Sequence, residues 1–200
     1  MDKYTVNRKE ILKSLTNGGR DFLYYAAPPE RWAIEYGGQA FGWGVCVMSN
    51  ATKSPKFDPE YASSSAATRD YLAMCLAHDN TLWPVFCKPS EAYKVIRIKQ
   101  IFGIGEDDVV FYPYWGETHP AKTSGKEIYT VTYTRGKTAM VIVCNLSLQN
   151  QDIVLTLDKK ILGNAPQVID AENKQPVTFS GNKFNLSVKR RDFRIFFINK

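Results

Sequence analysis

From Lys126 to Lys200 the apolar residues recur at every second position, and that period decides what this part of the chain can become. A period of two puts successive side chains on opposite faces of a strand. Tyr129, Val131 and Tyr133 alternate with Ile128, Thr130 and Thr132. Arg135-Gly136-Lys137 supplies a turn, and residues 138–146 (TAMVIVCNL) return as an apolar run suited to a central strand. Ile153, Leu155 and Leu157 alternate again, and Val168-Ile169 follows the break at Gly163-Asn164. Val177 and Phe179 lead into a turn at Ser180-Gly181-Asn182, then come Phe184, Leu186 and Val188, and residues 193–198 (FRIFFI) close the chain. About seven short strands with turn signals between them predict an antiparallel β-sandwich.

The first 105 residues keep a different rhythm. Ile11, Leu12 and Leu15 share one face of a helix over 6–16, which Asn17-Gly18-Gly19 stops. A buried strand follows over 21–27 (DFLYYAA), closed by Pro28-Pro29, then a helical turn over 30–36. Residues 41–48 (FGWGVCVM) read as a second strand and 49–65 as a long polar loop. A helix over 65–77 turns Leu72, Cys75 and Leu76 to one side, and a third strand runs over 81–87 (TLWPVFC). Ser90 is the expected cap of the next helix, with Glu91 in its first turn and Val95, Ile98 and Phe102 as its stripe; Gly103 and Gly105 end it. Alternating helix and strand is the pattern of βαβ units on a parallel sheet. Three strands cannot close a (β/α)8 barrel. This half is either a small open α/β layer or the end of a larger barrel. The expected organisation is an α/β segment over 1–110 and a sandwich over 111–200 that serves as an accessory rather than a catalytic unit.

Composition excludes several classes. The formal charge is +6, yet Lys and Arg are spread along the chain and the densest run is Lys189-Arg190-Arg191, so no nucleic-acid stripe is present. No apolar run approaches the roughly 20 residues that span a bilayer. Met1 leads into a polar amphipathic stretch without the apolar core of an export signal. The cysteines at 46, 75, 87 and 144 form no CxxC pair and no histidine lies at ligand spacing, so no metal is expected. Cys75 and Cys144 sit in apolar runs and read as buried thiols. Three Asn-x-Ser/Thr patterns, at Asn50, Asn145 and Asn185, are short enough to recur by chance.

Aromatic residues make up 13% of the chain, and residues 111–119 (FYPYWGETH) concentrate them. Tyr112, Tyr114 and Trp115 can stack on the apolar face of a pyranose while Glu117 and His119 reach its hydroxyls. The same rings can simply anchor a linker in a core, and buried aromatics dominate packing. A strand here would place Glu117 and His119 on one face. Trp43 and Trp83 lie in expected strands; they line a carbohydrate-binding face if this half is a barrel remnant, and core packing is the simpler reading. Glu106-Asp107-Asp108 lacks the spaced ligands of a calcium loop, and His78-Asp79 reads as structural.

Several longer strings resemble bacterial glycoside hydrolases in which a (β/α)8 (TIM) barrel precedes an all-β sandwich. Tyr71-Leu-Ala-Met-Cys-Leu-Ala-His-Asp79 followed by Thr81-Leu-Trp83 looks like the last barrel helix entering the last strand. Val109 to Trp115 resembles the bridge into the sandwich, and Val141-Ile-Val-Cys-Asn145 the sandwich strand ending in Asn. Val168-Ile-Asp170-Ala171-Glu172 and Leu186-Ser-Val-Lys-Arg-Arg-Asp192-Phe193-Arg194-Ile195 are similar to the closing strands. The resemblance implies the last part of a TIM barrel followed by an antiparallel β-sandwich, an activity on glycosidic bonds without an organic cofactor, a carbohydrate ligand, and full-length relatives that are secreted or periplasmic. Such chemistry uses two carboxylates, about 5–5.5 Å apart for retention or about 6.5–9.5 Å for inversion. Glu30, Glu35, Asp58, Asp79 and Glu117 lie near expected strand ends; Glu30 fits the C-terminal end of a barrel strand, Glu117 is the other candidate, and Asp79 precedes its strand. The open edges of an incomplete barrel call for a second chain or a cover, so a homo-oligomer is one expectation.

Overall fold

The computed structural model describes residues 29–35, 46–48, 65–84, 87–164, 167–178 and 181–199. The expected helix over 6–16, the strand over 21–27, most of the loop over 49–65, and Trp43 and Asp58 lie outside the described residues. The chain divides into two compact units, Met1–Tyr93 and Lys94–Lys200.

In the first unit, α1 (Pro29–Glu35), β1 (Cys46–Met48), α2 (Ser65–Ala77) and β2 (Thr81–Trp83) follow in order. β1 and β2 pair in parallel, with Cys46 opposite Thr81 and Met48 opposite Trp83. Parallel neighbours need a crossover, and α2 lies in it. β1 and β2 fall within the expected strands over 41–48 and 81–87, the expected strand over 21–27 lies outside the described residues, and no barrel segment is seen among those described. β2 is shorter than the 81–87 run because Pro84 has no N–H to donate to a ladder. α2 buries Leu72, Ala73, Met74, Cys75 and Leu76. It ends in a left-handed Asp79 (φ 54°), with the Asn80 N–H donating to the Cys75 carbonyl at 2.8 Å. That is the helix-ending hydrogen bond usually built around glycine.

α3 (Pro89–Phe102) starts one residue before the expected Ser90 cap. Pro89 takes the first helical position, where a missing N–H costs nothing, and Ser90 falls inside the first turn. Val95, Ile98 and Phe102 are buried as a stripe. The helix stops at Gly103 (φ 94°), and the Ile104 N–H reaches back to the Lys99 carbonyl at 3.0 Å.

The second unit contains two antiparallel sheets. The five-stranded one runs β3 (Val110–Tyr112), β5 (Ile128–Arg135), β6 (Thr138–Asn145), β10 (Asp192–Asn199), β8 (Gln167–Asp170). The three-stranded one runs β4 (Ala121–Thr123), β7 (Gln151–Leu157), β9 (Lys183–Val188), and the short α4 (Lys159–Leu162) follows β7. Six of the expected strands appear. The seventh, expected at Val177 and Phe179, lies partly outside the described residues; beside it Ile169 bridges Pro176, which has no N–H to donate to a ladder. β3 and β4 were not among the seven: three residues each give too little period to read.

The sheets face one another as a sandwich. Ala139, Val141 and Val143 of β6, Phe196 and Ile198 of β10 and Val168 of β8 meet Ile153, Leu155, Leu157, Phe184, Leu186 and Val188. Phe184 and Phe196 meet edge to face across the interlayer space, centroids 5.4 Å apart. The opposite face of the larger sheet is buried too: Val131, Met140, Ile142, Cys144, Phe193 and Ile195 have no accessible surface. A strand buried on both faces reads as a continuous apolar run, which is why 138–146 shows so little alternation. Phe102 of α3 stacks on Phe197 at 6.3 Å on this side.

Candidate functional site

The aromatic string leaves β3 over the outer face of the five-stranded sheet. Phe111 stacks on the buried Tyr133 at 4.8 Å, as its register opposite Tyr133 requires. Pro113 to Gly116 then close a turn, the Gly116 N–H donating to the Pro113 carbonyl at 3.1 Å. The turn places Tyr114 on Tyr129, centroids 4.4 Å apart, and sets Trp115 edge-on to Tyr114 at 4.8 Å and to Phe111 at 6.2 Å. Tyr112 is half-buried and Trp115 keeps 37% of its surface exposed. Five rings thus form one stacked cluster, most of it engaged in packing, with one indole edge open to solvent. Residues 113–120 adopt turn and irregular backbone rather than a strand, so the alternation that would put Glu117 and His119 on one face does not hold. Pro113, Gly116 and Pro120 interrupt the ladder. Glu117 is exposed and His119 half-buried.

In the first unit Trp83 is 55% exposed, which corrects its reading as core. β2 is buried on one side only: Leu82 points inward, and Thr81 and Trp83 share the outer face. Glu30 is exposed in the first turn of α1. His78 is fully buried near Trp32, Nδ1 2.8 Å from the Met74 carbonyl and Nε2 3.1 Å from the Pro29 carbonyl. Burial pushes its pKa below the ordinary 6.5, against the smaller opposing pull of the two carbonyls. A neutral imidazole donates from one nitrogen only, so one of these contacts is a hydrogen bond and the other a close approach. Among the described residues no three metal-ligating side chains converge, and no helix is long and apolar enough to cross a membrane.

Two clusters were quoted in the sequence for their resemblance, and the structure supplies their roles. Asn145, at the end of β6, has no exposed surface. Its Nδ2 donates to the Gln149 and Val188 carbonyls at 2.8 and 3.0 Å, and its Oδ1 accepts from the Ser147 N–H and hydroxyl. Gln151 donates to the Ser147 hydroxyl and the Lys126 carbonyl, both at 2.7 Å. Above this network lies a cleft of about 310 Å3 lined by Lys126, Glu127, Ser147, Leu148, Gln149 and Gln151. Sequence reasoning missed the cleft; the signal was an asparagine closing an apolar strand. In the second cluster Asp170 accepts from Arg194 at 2.5 Å and from the Glu172 and Asn173 N–H groups, while Glu172 pairs with Lys94 at 3.2 Å. The Val-Ile-Asp and Arg-Asp-Phe-Arg strings therefore meet as a staple between β8 and β10.

Residues 91–187 match the family model described as "Glycoside hydrolase 123, C-terminal domain". These residues form a glycoside-hydrolase-like C-terminal domain. The matched span begins inside α3 and ends inside β9, so it takes in the aromatic cluster, Asn145 with Ser147 and Gln151, and Asp170. No sequence among the curated proteins matches the chain. Among solved structures, a noncanonic maltogenic α-amylase from Thermotoga neapolitana is similar at 11% identity over 94% of this chain and 50% of its own, with a TM-score of 0.50. An α-galactosidase from Mortierella vinacea is similar at 14% identity over 66% of this chain and 35% of its own, TM-score 0.44. A β-L-arabinopyranosidase from Geobacillus stearothermophilus is similar at 9% identity over 66% of this chain and 29% of its own, TM-score 0.45. The chain spans half or less of the length of each. At these identities the likeness concerns fold alone.

Proposed function

We propose that the chain is a glycoside-hydrolase-like protein of carbohydrate metabolism that is not catalytically complete by itself. The observation that carries this reading is the family match over 91–187, preceded by a parallel β1–α2–β2 unit. Residues 1–110 are then the end of a TIM barrel and 111–200 the sandwich behind it. Barrel enzymes assemble their catalytic groups from the ends of many strands, and one parallel pair supplies few. Glu30 and Glu117 are the carboxylates available at the expected positions, and both are exposed. The purified chain is expected not to turn over a panel of 4-nitrophenyl glycosides. Robust turnover, lost in Glu30→Gln or Glu117→Gln, would overturn the claim of incompleteness.

A second reading, a carbohydrate-binding or assembly module without catalysis, rests on the exposure of Trp115 beside the aromatic cluster. Titrating glycans while following tryptophan fluorescence tests it. A response that vanishes in Trp115→Ala supports it, and silence in both proteins counts against it.

A further inference from the structure

We propose that the cleft beside Asn145 is a binding site for one neutral pyranose ring. Its volume of about 310 Å3 stands at the lower end of small-ligand pockets, the size for a single ring rather than an extended chain. The floor is pre-organised. Asn145 holds the 146–150 loop through both ends of its amide, and Gln151 ties Ser147 to the backbone of Lys126. The Lys126 N–H closes the ring by donating to Gln151 Oε1 at 3.1 Å. Glu127 is held at φ 55°, a left-handed conformation that disfavours residues with a Cβ, and its carbonyl accepts from the Leu146 N–H at 3.0 Å. Backbone strain of this kind collects at ligand sites.

The rim, by contrast, is unengaged. The exposed side chains of Lys126, Glu127 and Gln149 form no hydrogen bond or ion pair with the described residues, and Leu148 is 48% exposed. An ammonium donates, a carboxylate accepts and an amide does both, which is the mixed set that sugar hydroxyls satisfy. One Lys and one Glu cancel, so the cleft selects neither an anion nor a cation. Leu148 offers an apolar surface to the C–H face of a ring.

The assignment rests on the carbohydrate reading of the chain, and the test separates the two. The isotope-labelled full chain is titrated with methyl α-D-glucopyranoside and methyl α-D-galactopyranoside, following backbone amide shifts and tryptophan fluorescence together. Saturable shifts are expected at Lys126, Glu127, Leu148 and Gln149 with at least one of the glycosides. Glu127→Gln should weaken that binding about tenfold, the loss of one hydrogen bond to a charged group. Leu148→Ala should weaken it severalfold, and both surface variants should leave the remaining spectrum unchanged. Still amides at the cleft, or unaltered affinity in Glu127→Gln, overturn the site. Still amides with a responding Trp115 remove the cleft and leave the carbohydrate reading standing; silence of both readouts counts against both.

Discussion

At the end of β6 the apolar run stops on a polar residue that is as buried as the residues before it. Asn145 satisfies two carbonyls and one N–H of the chain around it, including Val188 on the neighbouring sheet. Removing the amide strands the Val188 carbonyl and the Ser147 N–H, whose bonds to Asn145 are buried. Asn145→Ala is therefore expected to destabilise the fold by about 2–4 kcal/mol, seen as a lower urea midpoint. His78 is the other buried polar residue with a measurable consequence. Its pKa is lowered in the fold, so between that value and the ordinary 6.5 the unfolded chain binds more protons. The stability that depends on neutral His78 is present above pH 6.5 and lost as pH falls through the folded-state value. His78→Gln should flatten that part of the stability–pH profile. An unchanged slope between the wild type and the variant would contradict the assignment.

At the scale of elements, the five-stranded sheet is buried on both faces and organises the packing within Lys94–Lys200. One face meets the three-stranded sheet through the Phe184–Phe196 contact. The other carries Phe102 and the 111–115 cluster on Phe197 and Tyr133. Phe196→Ala empties a fully packed position and is expected to cost about 3–5 kcal/mol in equilibrium unfolding. The alternation in β7 and β9 was legible because one face of that sheet meets solvent, and the burial pattern of β9 is strictly in–out. β6 was legible as central for the opposite reason: a run apolar at every position has no solvent face. What escaped was short or interrupted. β3 and β4 have three residues each, and β2 ends where Pro84 begins. The candidate site was less legible than the fold. The aromatic string was visible as a string, but its turn, which half-buries Tyr112 and Tyr114 and leaves Trp115 exposed, depends on Tyr129 and Tyr133 in the sheet beneath.

For the whole molecule, the α/β half raises a question of edges. A two-stranded parallel pair presents unpaired N–H and carbonyl groups on its outer sides unless other strands or another chain cover them. If residues 1–110 are a barrel end, solution scattering is expected to report a homo-oligomer or a monomer whose edges are covered. A strict monomer with a bare parallel edge would contradict this. The two units, Met1–Tyr93 and Lys94–Lys200, carry different kinds of information. The second holds nearly all of the family match, and the first contributes the parallel pair.

The sequence by itself determined the antiparallel class of the second unit, because periodicity is a local property: a run with every second residue apolar needs no knowledge of distant partners. It also determined where α3 ends and where β5 turns into β6, since Gly103 and Gly136 carry their conformations in their own residue type. Only the tertiary structure decided which polar residues are structural. Asn145 and Asp170 are ordinary letters until Val188 and Arg194, from distant strands, arrive beside them. The cleft over Asn145 has the same origin. Its lining comes from the turn at 126–127 and the loop at 147–151, and only the pairing of β5 with β6 brings Ile128 opposite Asn145.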